Sequence, residues 1–507
     1  MRRRQHYTTP SEPPIGPGPL EVPLELRRRI EVGIWQRGEP ARETGPMVAA
    51  DAWKERLVHV ADEGYFQMDP EETAGIPVRL FLTPSLLDAL EDSVRAQIVT
   101  AARFPGVKMV VIMPDVHHGY GVPVGCAIVS DPDEGAVALG PVGFDIGCGM
   151  VSLRSNVDAR AATAERRLAF NRSVMERVNM GVGERGVERM GRIDRAEFER
   201  LIRGGADYYT SRYGQRIDRT KAERNRIPVD DGWEIPASRA DRGIGQLGSL
   251  GGGNHFIELQ RSEQTGTLFV QIHTGSRGFG HGLAEHYFRV AKDEQPDVIR
   301  HLDEAWFPPS SPRRDEYLAA VAAGGNYAII NRLIIAEEVS AAFHKVFRAD
   351  LDLLYEISHN LVQREWHPDA GWVNVHRKGA TRAFPAKHPS LEGSPWFDTG
   401  HPVLIPGSNR DWSYILRPTD SAKSAYTVNH GAGRRMSRTA ARKQLNQDAV
   451  NRDYRQAGIV VNLDRRVPID ESGAAYKSSR SVIAAITRAR LAEVEHELWP
   501  LASLKGM

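Results

Sequence analysis

The apolar stretches of this chain are short, and they end repeatedly in glycine-flanked turns that carry polar side chains. Val107 to Met113 reads as a buried strand ending at Pro114-Asp115, Val124 to Val129 as a second, and Met150 to Leu153 as a third. Leu268 to Ile272 is a further strand, running into His273-Thr274-Gly275. Short apolar runs bounded by turn residues fit strands buried on both faces. Helical spacing is expected over Leu86 to Ala101, with Pro84 at its start, and over Ala328 to Phe347, which has neither glycine nor proline. The spacing also predicts that Leu351 to Glu365 continues helical, that Val373 to Val375 and Ile459 to Val461 are strands, and that Val482 to Leu498 is a closing helix. Strands and helices mixed without a regular βαβ repeat point to an α+β fold. One large domain of mixed β-sheets flanked by helices is expected, not a Rossmann or TIM architecture.

Two regions depart from this pattern. Residues 1–55 carry Pro10, Pro13, Pro14, Pro17 and Pro19 and read as an extended leader, which leaves 56–507 for the domain proper. Residues 184–242 are arginine-rich with few apolar stripes and read as a solvated helical insertion. The whole chain, at 507 residues and 41% hydrophobic content, can bury a core without disulfide staples. Cys126 and Cys148 are too few for a disulfide framework, so a reducing cytoplasm is the expected location. With a net charge of +1, any binding of polyanions must come from local basic patches. No apolar run approaches the roughly 18 residues that span a membrane, and Arg2-Arg3-Arg4 is not followed by a secretory apolar segment.

The glycine-flanked clusters carry the chemistry. In Gly143-Phe144-Asp145-Ile146-Gly147-Cys148-Gly149, a carboxylate and a thiol three residues apart can aim at one point. A thiolate can bridge two divalent ions and a carboxylate suits a hard one, although an inert buried cysteine beside a capping aspartate explains this cluster equally well. Gly251-Gly252-Gly253-Asn254-His255 offers backbone N–H groups and an amide to anionic oxygens. His273 lies at a strand end beside glycines, and His359, in Ser358-His359-Asn360, falls on the expected helix. Arg377, Lys378 and Arg382 lie within six residues and make a concentrated anion site. His430-Gly431-Ala432-Gly433-Arg434 has the form of a nucleophile facing a phosphate. Together these clusters indicate metal-assisted phosphoryl or nucleotidyl transfer; they name neither the nucleotide nor the acceptor. Cys126, on a strand, reads as a core residue.

Taken in order, these motifs resemble the RtcB family of RNA-splicing ligases from about Pro77 to the C-terminus. Met113-Pro114-Asp115, His118-Gly119-Tyr120-Gly121, the Asp145/Cys148 cluster, Gly253-Asn254-His255-Phe256, His273 to Gly278, His376 to Pro385, His430 to Arg434 and the terminal Leu504-Lys505-Gly506 carry the likeness. The resemblance implies an enzyme that joins RNA 2′,3′-cyclic phosphate or 3′-phosphate ends to 5′-hydroxyl ends, in tRNA splicing or RNA repair. Its cofactors would be GTP and two Mn²⁺ ions per active site. By position, Asp145, Cys148, His255, His273 and His359 would hold the metals, with Cys148 bridging, and His430 would take GMP. Asn254, Glu258, Arg377, Lys378, Arg382, Ser408, Gly431, Ala432, Gly433, Arg434 and Lys505 would meet the nucleotide and its phosphates. Asp115 and His118 would border the RNA-end pocket. The implied partners are tRNA halves or damaged RNA and GTP, with no membrane and a monomeric enzyme. One departure stands out: Pro406-Gly407-Ser408 leads into Asn409-Arg410-Asp411-Trp412 where the family usually carries Met-Gly-Thr-Ala. A phosphoesterase that opens cyclic phosphates without sealing is the alternative.

Overall fold

Two sheets built largely from those short apolar strands meet at the polar clusters in the computed structural model. It describes residues 52–506 apart from 184–185, 187–189, 214–217 and 223–225. The first sheet has seven strands in the order Val58–Val60, Tyr65–Gln67, Val78–Leu80, Val107–His117, Val124–Ser130, Gly371–Lys378 and Asn360–His367. The second has eight. Seven follow the order Asp352–Ser358, Gly149–Asp158, Thr267–Thr274, Phe256–Ser262, Ala492–Lys505, Ser413–Pro418 and Val403–Ile405, and Val460–Val461 pairs in parallel with Ala492–Lys505. Helices pack against these sheets, so the expected α+β architecture holds. The expected leader lies outside the described residues up to 51. The folded part begins slightly earlier than predicted, because Ala52–Glu55 is helical and Trp53 is buried in the core.

The long helix Arg313–Phe347 is the core of one half of the molecule. It extends the predicted 328–347 segment backwards through Gly324 and Gly325, residues that cost helix stability unless something else needs them. What needs them is close approach to the Asp145–Cys148 turn: a β-carbon at Gly324 would lie 2.8 Å from Ile146 Cγ2, and one at Gly147 (φ +72°) would lie 2.8 Å from Ala328 Cβ. This helix is also long and apolar enough to cross a membrane by length and composition, which the sequence reading did not credit. However, 94% of its most apolar window is buried inside the protein, as in a core helix.

Four expectations fail. Leu351 to Glu365 is not helical. It forms Asp352–Ser358 and Asn360–His367, strands of different sheets joined at His359. Tyr355 and Ile357 pack in one core and Glu356 between them meets Arg332 of the long helix on the other face, the alternation of a strand. The closing helix stops at Arg488, the chain turns at Arg490 (φ +53°), and Ala492–Lys505 runs on as a strand. The segment 86–101 splits into Pro84–Asp88, capped by Thr83, and Ser93–Ala102. The 184–242 region, where described, is also not a solvated insertion. Helix Arg195–Tyr213 buries Phe198, Leu201, Ile202, Ala206 and Tyr209, and Asn326 of the long helix donates to the Ile202 carbonyl at 2.8 Å.

Candidate active site

Antiparallel register brings the metal-type residues to one end of the second sheet. Gly149 pairs with Thr274 and Met150 with His273; Ser358 pairs with Gly149; Phe256 pairs with His273. Cys148 therefore precedes one strand, His255 precedes another, His273 nearly ends a third and His359 follows a fourth. Each reaches the same edge because neighbouring strands run in opposite directions.

Their ligating atoms converge in two groups that share Cys148. Cys148 Sγ lies 3.2 Å from His273 Nε2, which lies 3.2 Å from His359 Nε2. Cys148 Sγ also lies 3.6 Å from His255 Nε2, which sits 3.0 Å from Asp145 Oδ2. Two of the three other ring nitrogens are tied back: His255 Nδ1 lies 3.0 Å from the Leu250 carbonyl and His273 Nδ1 3.1 Å from the Asn254 carbonyl, while His359 Nδ1 has no partner among the described residues. An Nδ1 proton donated to a carbonyl leaves the Nε2 lone pair facing the cluster, as metal-ligating histidines require. Burial, aided by the neighbouring histidines, pushes His273 and His359 well below the usual imidazole range. Burial also raises the Cys148 thiol. For Asp145, burial opposes ionisation, but the bond to His255 and the nearby Arg277 outweigh it and bring the pKa down to about 2. Three imidazoles, a carboxylate and a shared sulfur fit a pair of divalent transition ions.

Arg332, which the sequence reading missed, fastens this cluster from behind. It is fully buried on the long helix and donates to the carbonyls of Gly147 (2.6 Å) and Thr274 (3.0 Å) and to Ser358 Oγ (2.7 Å). Those are the neighbours of Cys148, His273 and His359. Its Nε bonds Glu356 Oε1 at 2.6 Å, so the charge is balanced inside the core. A signal was there: one arginine in the apolar run Ala328 to Ala336 must be paired if that run is buried. Arg332→Met is expected to destabilise the fold by about 3–5 kcal/mol, because it strands the Glu356 carboxylate. Chemical denaturation of wild type and variant checks this, with Arg332→Met/Glu356→Gln expected to recover part of the loss.

His430 faces the cluster, its ring 4.9 Å from that of His359. Its Nδ1 lies 2.7 Å from Asp115 Oδ2, and the same oxygen accepts the backbone N–H groups of His430 (3.1 Å) and Gly431 (3.2 Å). Asp115 is fully buried, and Lys477, which donates to the Val116 carbonyl at 2.5 Å, stands beside it. Gly379 (φ +54°) makes room for the ring, since a β-carbon there would lie 2.9 Å from His430 Cε1.

A cavity of about 380 Å³ opens over both features. Asp145, Cys148, Asn254, His273, His359, Lys378, Ser408, His430, Gly431, Ala432, Gly433, Arg434 and Lys505 line it. On one wall Lys505 Nζ lies 4.9 Å from the Phe256 ring centre and 3.7 Å from Glu471, while Arg434 and Tyr476 both bond Glu471. Tyr476, Glu471, Arg438 and Asn360 were missed, lying outside the glycine clusters or next to a residue already chosen.

Some expected contacts are not brought to the cavity. Arg377 is buried on the opposite strand face from Lys378, where it binds both oxygens of Glu365 (2.6 and 2.9 Å) and Thr427 Oγ1. Arg382 is buried too, donating to Gln363 and stacked at 4.8 Å over Phe384. His118 is exposed and does not line the cavity, whereas its neighbour His117 does. Glu258 lies behind the wall. Gln260 donates to it at 2.7 Å and also to Ser413 Oγ, which accepts from the Gly407 N–H. Burial raises its carboxyl from 4.5 to about 7, against the pull of Gln260 and Lys505. Cys126 is a buried core residue whose thiol burial pushes up to about 12.

The raised Glu258 carboxyl has a thermodynamic consequence. Between pH 4.5 and about 7 the folded protein holds a proton that the unfolded chain releases, so stability falls as pH rises through that window. The full difference corresponds to about 3 kcal/mol. Glu258→Gln, which keeps an oxygen for Gln260, is expected to flatten this part of a urea-denaturation profile measured from pH 4.5 to 7.5.

Two donor sets that could each hold a metal ion share a thiol and stand against an imidazole held by a buried carboxylate, a candidate site for metal-dependent phosphoryl transfer. The RtcB family, described as tRNA-splicing ligase RtcB, matches residues 97–506. Among individual relatives, the RNA-splicing ligase RtcB of Mycobacterium tuberculosis is 36% identical over 434 residues, covering 81% of this chain and 100% of the relative. The tRNA-splicing ligases RtcB of Archaeoglobus fulgidus and Thermococcus kodakarensis are 34% and 32% identical, each covering 85% of this chain and 95% of the relative. The chain belongs to the RtcB family and is an RNA ligase.

Proposed function

We propose that this ligase joins RNA ends carrying a 2′,3′-cyclic phosphate or 3′-phosphate to 5′-hydroxyl ends, with GTP as guanylate donor, His430 as nucleophile and two Mn²⁺ ions as cofactors. The observation that carries the reading is the 2.7 Å His430–Asp115 pair beside two donor groups that share Cys148. A carboxylate accepting the Nδ1 proton leaves the Nε2 lone pair free to attack phosphorus. It also balances the positive charge that the imidazole gains as that bond forms. Asp115 fixes the ring further through the backbone N–H groups of His430 and Gly431. Arg434, Lys505 and Asn254 line the same cavity and suit the phosphates and base of a nucleotide. Asp145, His255, His273 and His359 would hold the ions with Cys148 between them, and bound divalent ions would neutralise phosphate charge and stabilise attacking and leaving oxygens. Attack of His430 Nε2 on the α-phosphorus of GTP breaks its bond to pyrophosphate, which leaves. A 2′,3′-cyclic end is first hydrolysed to a 3′-phosphate, and the guanylate passes from His430 to that 3′-phosphate. The 5′-hydroxyl, losing its proton, then attacks the activated phosphorus and displaces GMP. A buried thiol among the ligands favours a reducing compartment such as the cytoplasm, and a complete site within one chain supports a monomer.

The test uses two short RNAs, one ending in a 2′,3′-cyclic phosphate and one starting with a 5′-hydroxyl. Joining that needs both Mn²⁺ and GTP, and that falls when ATP replaces GTP, is expected. Opening of the cyclic phosphate without joining, under all nucleotides, overturns the ligase reading in favour of a phosphoesterase.

A further inference from the structure

Of the large hydrophobic side chains exposed among the described residues, Tyr120 is the one that lines the catalytic cavity. Its ring is 39% exposed, although Phe144 lies 5.1 Å beneath it and Phe288 meets it edge-on at 5.8 Å. Phe144 in turn stacks on Phe288 at 4.9 Å and on His281 at 5.2 Å. Tyr120 is therefore the cavity-side exposed ring of a packed aromatic pile whose inner member, Phe144, directly precedes Asp145.

The backbone under this ring is pinned from three directions. Gln97 donates to the Gly119 carbonyl (2.7 Å) and accepts from the Gly119 N–H (2.9 Å). The Gly121 N–H donates to Asp303 Oδ2 at 3.1 Å. Lys378 donates its ammonium to the Tyr120 carbonyl, and burial lowers that lysine to about 8. Holding an exposed aromatic face rigid at a cavity mouth lowers the ordering cost of binding a flat partner. The nucleotide-type side chains belong to a separate contact group, built from Lys505, Phe256, Glu471, Arg434 and Tyr476.

We propose that Tyr120, backed by Phe144, is the stacking platform for the terminal base of one of the two RNA ends, which makes it a specificity-determining residue for RNA and not for GTP. The proposal rests on the ligase reading above. A base on an aromatic ring is held without sequence preference, because every base offers a π-face. That suits an enzyme whose recognition is of end chemistry.

The experiment compares wild type, Tyr120→Ala and Tyr120→Phe in two assays: self-guanylylation, which needs no RNA, and joining at varied RNA concentration. Each joining assay is run with normal RNA and with RNA lacking the base at the 3′-phosphate nucleotide or at the 5′-hydroxyl nucleotide. Tyr120→Ala is expected to raise the KM for RNA by about 5-fold to 100-fold, with guanylylation unchanged and Tyr120→Phe close to wild type. Removing the base at one end should cost wild type a similar factor and Tyr120→Ala nothing further, which also identifies the end. Equal base dependence in wild type and Tyr120→Ala overturns the inference, and so does a parallel loss of guanylylation, which marks the ring as packing. If wild type forms no guanylate at all, the ligase reading fails instead, and the same cycle run as equilibrium RNA binding still decides the role of the ring.

Discussion

His430→Ala is expected to abolish covalent labelling of the protein by GTP radiolabelled at the α-phosphate, and to lower RNA joining by roughly four orders of magnitude or more. Among the cavity-lining imidazoles His430 alone has a carboxylate on its Nδ1: His273 and His359 direct Nε2 into the donor cluster, and His117 Nδ1 meets only a backbone carbonyl, that of Asp115, at 2.9 Å. Asp115→Asn gives the sharper contrast. Asp115 Oδ2 accepts from His430 Nδ1 and from two backbone N–H groups. An amide oxygen there carries no charge to balance the phosphorylated ring, and an amide nitrogen would favour the tautomer whose proton sits on Nε2, where the lone pair is needed. By analogy with carboxylate-to-amide changes in other catalytic pairs, labelling should slow by about 10³-fold to 10⁴-fold yet still appear. Rapid-quench labelling followed by denaturing electrophoresis separates the cases. A slow band with Asp115→Asn and none with His430→Ala is expected, and a label that survives in His430→Ala would place the nucleophile elsewhere.

The site was legible in the sequence to the extent that its residues stand at strand ends beside glycines. Asp145, Cys148, His255 and His273 could be found that way, since tight turns are where side chains of several strands can meet. His359 was found although its segment was misread as helix, because antiparallel neighbours bring strand ends together whatever the period between them. Arg377 shows the limit. Arg377 and Lys378 look like one cationic run, yet successive residues of a strand face opposite ways, so Lys378 lines the cavity while Arg377 is buried against Glu365. Arg332 was missed because its role depends on which loops a distant helix touches, which local pattern does not encode. In the same way, the segment Arg195–Tyr213, two helical stretches kinked at Gly205 (φ +59°), buries Phe198, Leu201 and Ile202 before the kink and Ala206 and Tyr209 after it, a pattern its arginines obscure. The Asn409–Trp412 departure proves to be a fastened turn: Asn409 meets the Tyr454 hydroxyl at 2.5 Å, Arg410 pairs with Asp453, and Asp411 accepts the Ser479 N–H at 2.9 Å. These residues brace the loop from outside, and Ser408 lies on the cavity wall.

Sharing of Cys148 between the two donor groups makes the second large prediction. If each group takes one ion, a change at His255 should affect one site and a change at His359 the other, whereas Cys148→Ala should weaken both. Equilibrium dialysis against Mn²⁺ with elemental analysis is expected to give about two ions per wild-type chain, about one for His255→Ala or His359→Ala, and well under one for Cys148→Ala. Joining activity should fall below detection in the last case, because both phosphate neutralisation and ligand geometry are lost. Folding is expected to survive, since Cys148 contributes little apolar surface and the turn that carries it stays anchored by Arg332 on the Gly147 carbonyl and by the Gly147 N–H on the Asn360 carbonyl at 2.8 Å. Thermal melting reports the same linkage from another side: Mn²⁺ should raise the Tm of wild type and leave that of Cys148→Ala nearly unmoved, because only an ion that binds the folded state stabilises it. Acid should weaken binding as well. Burial holds the Cys148 thiol protonated in the metal-free protein, so ion uptake must release a proton and becomes less favourable as pH falls. Two ions retained at full affinity by Cys148→Ala would show that the sulfur is not shared, and that the two sites are independent.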